Sequence, residues 1–132
     1  MTDLELAKVM PFAADLGVEI VSAAPGEVRA RLPWAERLCT AGGVMHGGAL
    51  MTLADSAGAY CAFLNITEQG AGTATIESKT NFFAALREGN ANARSRPLHR
   101  GRTTIVVETD IFDDAERHLA RVTQTQAILA PR

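Results

Sequence analysis

Little in this 132-residue chain ties it to a membrane, a nucleic acid, a metal or an oxidising compartment. Cysteine is scarce. Cys39 and Cys61 make a single pair, unlike the dense framework of a small secreted domain, so reduced thiols in a cytoplasmic setting are expected. Neither has an activating partner beside it in sequence, and both read as small buried hydrophobes. His46, His99 and His118 lack metal-ligand spacing and no Cys-x-x-Cys occurs, so no metal is expected. Gly-x-Ser-x-Gly and phosphate-loop patterns are missing too. No charge predominates: 13 Lys and Arg against 15 Asp and Glu leave a net −2, and aromatics make up 5%, which argues against a nucleic-acid binder. The opening MTDLELAKVM is acidic where a secretory signal carries positive charge, so export is not expected. The most apolar run, Ala49 to Leu64, contains Asp55 and is too short and too polar to span a bilayer comfortably.

What is present is globular composition, 47% apolar and 21% charged, over a length suited to one domain spanning residues 1–132. From Asp3 to Leu16 an imperfect amphipathic pattern predicts a first helix ended by Gly17. Val18 to Ser22, the turn signal Pro25-Gly26 and the strict alternation of Glu27 to Leu32 predict a β-hairpin with one wet face. Four further extended runs follow, Thr73 to Phe83, Asn90 to Leu98, Thr103 to Phe112 and Leu119 to Leu129. Gly89, Arg100-Gly101 and Asp113-Asp114 fall between them, where hairpin turns are expected. No helical period separates these runs, so the pattern predicts consecutive antiparallel strands in an α+β layer.

The segment between Arg37 and Glu68 is the informative one. Its thirty residues carry one formally charged side chain, Asp55, where the overall composition would give about six. His46-Gly47-Gly48 precedes an Ala-rich apolar helix, which belongs in a core. Its small residues Ala54, Ala57, Gly58, Ala59 and Ala62 suit a sheet wrapped closely round it. An ionised carboxylate there costs several kcal/mol unless it is paired, hydrogen-bonded or facing a wet cleft. Asp55 therefore either meets water at a helix edge or is held for chemistry. Gly47 and Gly48 offer free N–H groups at the helix start, an oxyanion hole in form, or else serve only a tight turn.

Asp55 lies seven to eight residues past those glycines, roughly 10–12 Å along the axis. One carbonyl cannot easily touch both from the same helix. If both act on one substrate, a second copy of the helix, antiparallel across a two-fold axis, must supply the other group, which predicts a homodimer with shared sites.

Gly43-Val44-Met45-His46-Gly47-Gly48, followed by Asp55, resembles the G-x-x-H-G-G…D signature of hotdog-fold acyl-CoA thioesterases, specifically the phenylacetate-degradation branch. The stretches Thr75 to Ala85 and His99-Arg100-Gly101-Arg102 resemble that family's third-strand and phosphate-contacting segments. The resemblance implies a long helix wrapped by a curved, mostly antiparallel sheet of five or six strands, dimerising edge to edge and often pairing into tetramers. It also implies roles. The amide of Gly48 or Gly47 polarises the thioester carbonyl, the partner subunit's Asp55 acts as general base or nucleophile, and His46 lies near the thioester. Two departures stand out: Thr40 occupies the place of a common Asn six residues before the His, and Ala84-Ala85 replaces a usual proline. Thr75 falls near a site hydroxyl of the relatives.

Arg87, Arg94, Arg96, Arg100 and Arg102 concentrate positive charge beside one acid, Glu88. Arg94, Arg96, Arg100, Gly101 and Arg102 are the candidates for coenzyme A phosphates, which guanidinium groups bind bidentately; a solvated strand face is the alternative. An acyl pocket is expected near Leu50, Met51, Ala54 and the partner subunit's Phe82 and Phe83. The expected activity is hydrolysis of an aryl or medium-chain acyl-CoA thioester with no cofactor beyond the substrate's own coenzyme A. A non-catalytic acyl-CoA-binding module is the second reading.

Overall fold

A computed structural model describes residues 1–132. Helix α1 (Asp3–Val9) begins at a capping box in which the Thr2 hydroxyl accepts from Glu5 N–H and the Glu5 carboxylate accepts from Thr2 N–H. The single first helix predicted to Leu16 is two: Pro11 has no N–H and starts a new helix, α2 (Pro11–Leu16), across a break at Met10. Gly17, at φ 99°, caps α2 as the sequence predicts, in a left-handed conformation that costs glycine little.

Strands β1 (Glu19–Ala24) and β2 (Glu27–Pro33) form the expected hairpin. Two short 3₁₀ turns and the Cys39–Met45 bridge then lead into α3 (Gly47–Leu64). Strands β3 (Gly72–Phe82), β4 (Asn90–Arg100), β5 (Thr104–Phe112) and β6 (His118–Leu129) complete one antiparallel sheet ordered β1-β2-β4-β5-β6-β3.

That order corrects one expectation. Gly89 does not turn a β3–β4 hairpin; β3 pairs with β6 at the far edge, and β4 enters the centre between β2 and β5. The side chains explain the placement. Ala91, Ala93 and Ser95 of β4 are fully buried against α3, where small groups allow close approach. The inward face of β3 carries Thr75, Ser78 and Thr80 instead, groups suited to an edge that opens to water.

Helix α3 packs on all six strands, with Leu53, Ala54, Ala57, Cys61 and Ala62 at the centre of the core. Gly58 lies directly against the Gln124 side chain, the close approach its missing Cβ permits. The helix is not enclosed on every side as its composition suggests: Met51, Asp55 and Phe63 lie on an exposed face, with Ala59 half-buried beside them. No helix is long and apolar enough to cross a membrane.

Candidate active site

The start of α3 is built around an imidazole. His46 is the N-cap, and its Nδ1 accepts the Gly48 N–H at 2.9 Å. An accepting Nδ1 carries no proton, so the neutral ring bears its hydrogen on Nε2 and has a donor to offer outward. The two glycines are explained by contact rather than by a strained turn, since neither has positive φ. A Cβ on Gly48 would stand 3.1 Å from His46 Nδ1, and one on Gly47 would stand 3.0 Å from Phe82 Cζ. With the Gly48 amide bonded to His46, Gly47 supplies the amide that has no acceptor among the cap and loop bonds.

Asp55 follows Gly48 by seven residues, two helical turns, and so shares its face. Both open into one cleft of about 580 Å³, walled by Met10 to Ala13 on one side, Met51 on the helix and Ser78 on β3. A smaller cavity of about 320 Å³, lined by His46 and Cys39, adjoins it and shares Phe12, Gly48 and Thr52. Although Asp55 lies on the exposed helix face, the cleft walls partly desolvate its carboxyl and raise it above its ordinary value, and the nearby Thr75 hydroxyl partly offsets that rise. The helix's own hydroxyls are occupied: Thr52 donates to Gly48 O at 2.9 Å and Ser56 to Thr52 O at 2.7 Å, which leaves Asp55 as the group free to act.

The structure thus places Gly48, Met51 and Asp55 on one cleft and His46 on the cavity beside it, with Gly47 at the helix start between Phe82 and His46. Phe82 reaches the helix start of its own chain. Other predicted site residues lie elsewhere. Leu50 and Ala54 are 3% and 0% exposed, because the 3.6-residue period turns them onto the opposite helix face and into the core, so they form no cleft wall. Thr40 is exposed on the loop before the 3₁₀ turn and lines neither cavity. Phe83 lies against His118, with ring centroids 4.9 Å apart.

Arg94 is held by Glu116 at 2.7 Å and stacks on Phe112, while Arg96 pairs with Glu108 and with Asp110. Their charge is neutralised across the sheet on the face away from α3. Arg100, Gly101 and Arg102 line a cavity of about 650 Å³ with Leu64 and Asn65, at the opposite end of α3 from Gly48. The residues of α2 that wall the cleft went unread in the sequence. Pro11 beside the exposed Phe12 was the available signal, since a broken helix leaves a short segment free to lie across its neighbour.

A six-stranded antiparallel sheet wrapped on one long helix is the hotdog architecture, and relatives share it. Residues 42–120 match the family model described as the thioesterase superfamily. The crystal structure of a thioesterase family protein from Silicibacter pomeroyi superposes with a TM-score of 0.85 at 32% identity, covering 96% of this chain and 95% of that one. Rv1847 from Mycobacterium tuberculosis, an esterase by name, is 31% identical over 85% of this chain and 81% of its own. The 1,4-dihydroxy-2-naphthoyl-CoA hydrolase of Escherichia coli is 34% identical over 66% of this chain and 63% of its own. The chain belongs to the thioesterase superfamily, and thioester hydrolysis is its class of reaction.

Proposed function

We propose that the protein hydrolyses acyl-CoA thioesters of an aryl or medium-chain acid, in the manner of the phenylacetate-degradation branch, within a homodimer that pairs further into a tetramer. The observation that carries this reading is the placing of a lone carboxylate, Asp55, on one cleft with Gly48 at the helix start, where the free Gly47 amide stands next in the chain and His46 lines the adjoining cavity. The Gly47 amide and the His46 Nε2–H are suited to stabilise the oxyanion that forms when the carbonyl is attacked. Asp55 either takes a proton from the attacking water or attacks first itself, giving an anhydride that water then opens. Each route consumes one water and releases one carboxylic acid and one thiol, with no metal or redox cofactor.

The dimer follows from distance. Two turns separate the amide from the acid, so one thioester carbon reaches both when an antiparallel second copy supplies the acid. The same pairing brings one subunit's Arg100 and Arg102 towards its partner's helix start. Neither arginine has an acidic partner in its own chain, which leaves both for the phosphates of coenzyme A. The edge of β3, with Ile76 and Phe82 exposed, is the surface such a dimer would cover.

A thiol-release assay over aryl- and alkyl-CoA esters tests the reading. Asp55→Asn is expected to lower kcat by about 10²- to 10⁴-fold. Undiminished turnover in that variant refutes the mechanism. Retention of acyl-CoA without release of thiol from any ester would favour a binding module instead.

A further inference from the structure

Phe12, Gly48 and Thr52 line both the cleft and the cavity beside it. One of the three can part the two spaces. Gly48 has no side chain, and the Thr52 hydroxyl is turned back onto its own helix, donating to Gly48 O at 2.9 Å. The phenyl ring of Phe12 remains. It is 67% exposed, whereas Ala13, the next residue of α2, is 2% exposed. The short helix therefore gives its small side chain to the core and holds its large one over the groove beside α3.

The ring does not sit on a loose arm. Pro11 presets the backbone in the first turn of α2. At the other end Val18 N–H donates to Ala13 O at 3.1 Å, and the Arg37 guanidinium donates to Leu16 O at 3.0 Å. Both spaces are apolar around the ring, with Met10, Ala13 and Met51 in the cleft and Leu16, Leu38 and Ala49 in the cavity. Hydrocarbon is the filling that such walls suit.

We propose that Phe12 determines which acyl groups the site accepts, through the width its ring leaves beside the helix start. The inference rests on the reading of the cleft as a thioesterase site and deepens it. A carbonyl held at the start of α3 lies at the junction of the two spaces, so the first carbons of the acyl group are those that meet the ring. With the ring in place an acyl group has one space to enter. A straight chain fits, and a chain branched beside the carbonyl, which needs both spaces at once, does not. The β3 edge proposed for the second copy lies across the cleft from α2, so the ring is left to the substrate.

Octanoyl-, 2-ethylhexanoyl- and 2-propylpentanoyl-CoA carry isomeric acyl groups that differ in branching alone, and the ratio of kcat/KM for branched over straight esters tests the proposal. Phe12→Ala is expected to raise that ratio by about tenfold or more, and Phe12→Trp to lower it. Phe12→Tyr, whose added hydroxyl has solvent to reach, is expected to keep the wild-type ratio. So is Leu4→Ala, which trims another exposed apolar side chain from α1, outside both spaces. An unmoved ratio in Phe12→Ala, or an equal change in Leu4→Ala, overturns the proposal. Loss of subunit association in Phe12→Ala, read by sedimentation velocity, also overturns it, since the ring would then be a contact between copies. Dissociation constants of the S-octyl and S-(2-ethylhexyl) thioethers of coenzyme A, which cannot be hydrolysed, read the same preference without turnover. A shifted preference there in a protein that cleaves no thioester would overturn hydrolysis and uphold Phe12; an unshifted one beside intact hydrolysis would do the reverse.

Discussion

Gly58→Ala offers a sharp test of the packing between α3 and the sheet, because two opposed terms act at one atom. In an ordinary helix interior the change stabilises by about 1 kcal/mol, since alanine loses less backbone entropy than glycine. Here the added methyl carbon would stand 2.7 Å from Gln124 Cδ, with the amide oxygen nearer still. That side chain is enclosed at 1% exposure between neighbours on β3 and β5, so the amide has nowhere vacant to swing. Overpacking of this kind costs about 1–3 kcal/mol. The clash outweighs the helix preference across most of that range, and Gly58→Ala is expected to lower the melting temperature. In a Gln124→Ala background the amide is gone and the methyl fits the vacated space. The same substitution should there raise the midpoint by about 4 °C, the equivalent of about 1 kcal/mol for a chain of this length. Thermal unfolding of the four proteins in the cycle reads the coupling directly. A stabilising effect of equal size in both backgrounds would show that Gln124 yields cheaply, and the close-approach argument for Gly58 would fail.

Two further outcomes follow from the titrating groups. Burial acts to raise the Asp110 carboxyl, but donors from Arg121, His118 and Arg96 outweigh it and hold the group below its ordinary 3.8. An acid depressed on folding stabilises above its unfolded value, and that contribution is lost as pH falls through the lowered one. Urea midpoints of the wild type are therefore expected to fall between about pH 5 and about pH 2, and those of Asp110→Asn to fall less; equal slopes refute the pairing. Burial pushes the Cys61 thiol up to about 11. A thiol reagent at mildly alkaline pH should modify Cys39 in the native protein and reach Cys61 only after unfolding, and equal labelling rates would contradict the burial.

The strands were legible because their alternation is local. Glu27 to Leu32 shows its wet and dry faces residue by residue, and Asn90 onward does the same. Asp55 stood out for a local reason too, as the one charge in an apolar run. What escaped depends on which strands meet. Arg94 and Arg96 read as a free basic patch beside Glu88, yet the register sets them opposite Asp110 and Glu108, acids more than ten residues later in the chain. Leu50 and Ala54, expected in the wall of an acyl pocket, belong to the same apolar run as Asp55. On a helix the neighbours that matter are three, four and seven residues away, which selects Gly48, Met51, Thr52 and Ala59. The Gln126–Thr75 hydrogen bond was invisible for the same reason as the acids: the two residues are 51 apart in the chain.

The placing of β3 is the feature of the fold on which the site depends. Had β3 turned back at Gly89 to pair with β4, its hydroxyls would have faced the packed centre of the sheet, where Ala91 and Ala93 now meet α3 and no polar partner waits. Sent instead to the far edge beside β6, the strand brings Thr75 and Ser78 alongside the one face of α3 that the sheet leaves open, the face of Gly48 and Asp55. Asp55 then sits where burial still exceeds the help from Thr75, so its charged form is disfavoured relative to a free carboxylate. A raised acid of that kind works against folding at neutral pH. Asp55 lies on the exposed face of the helix, so its presence costs the core nothing; what the proposed hydrolysis adds is a use for an acid held on the same face as the helix start.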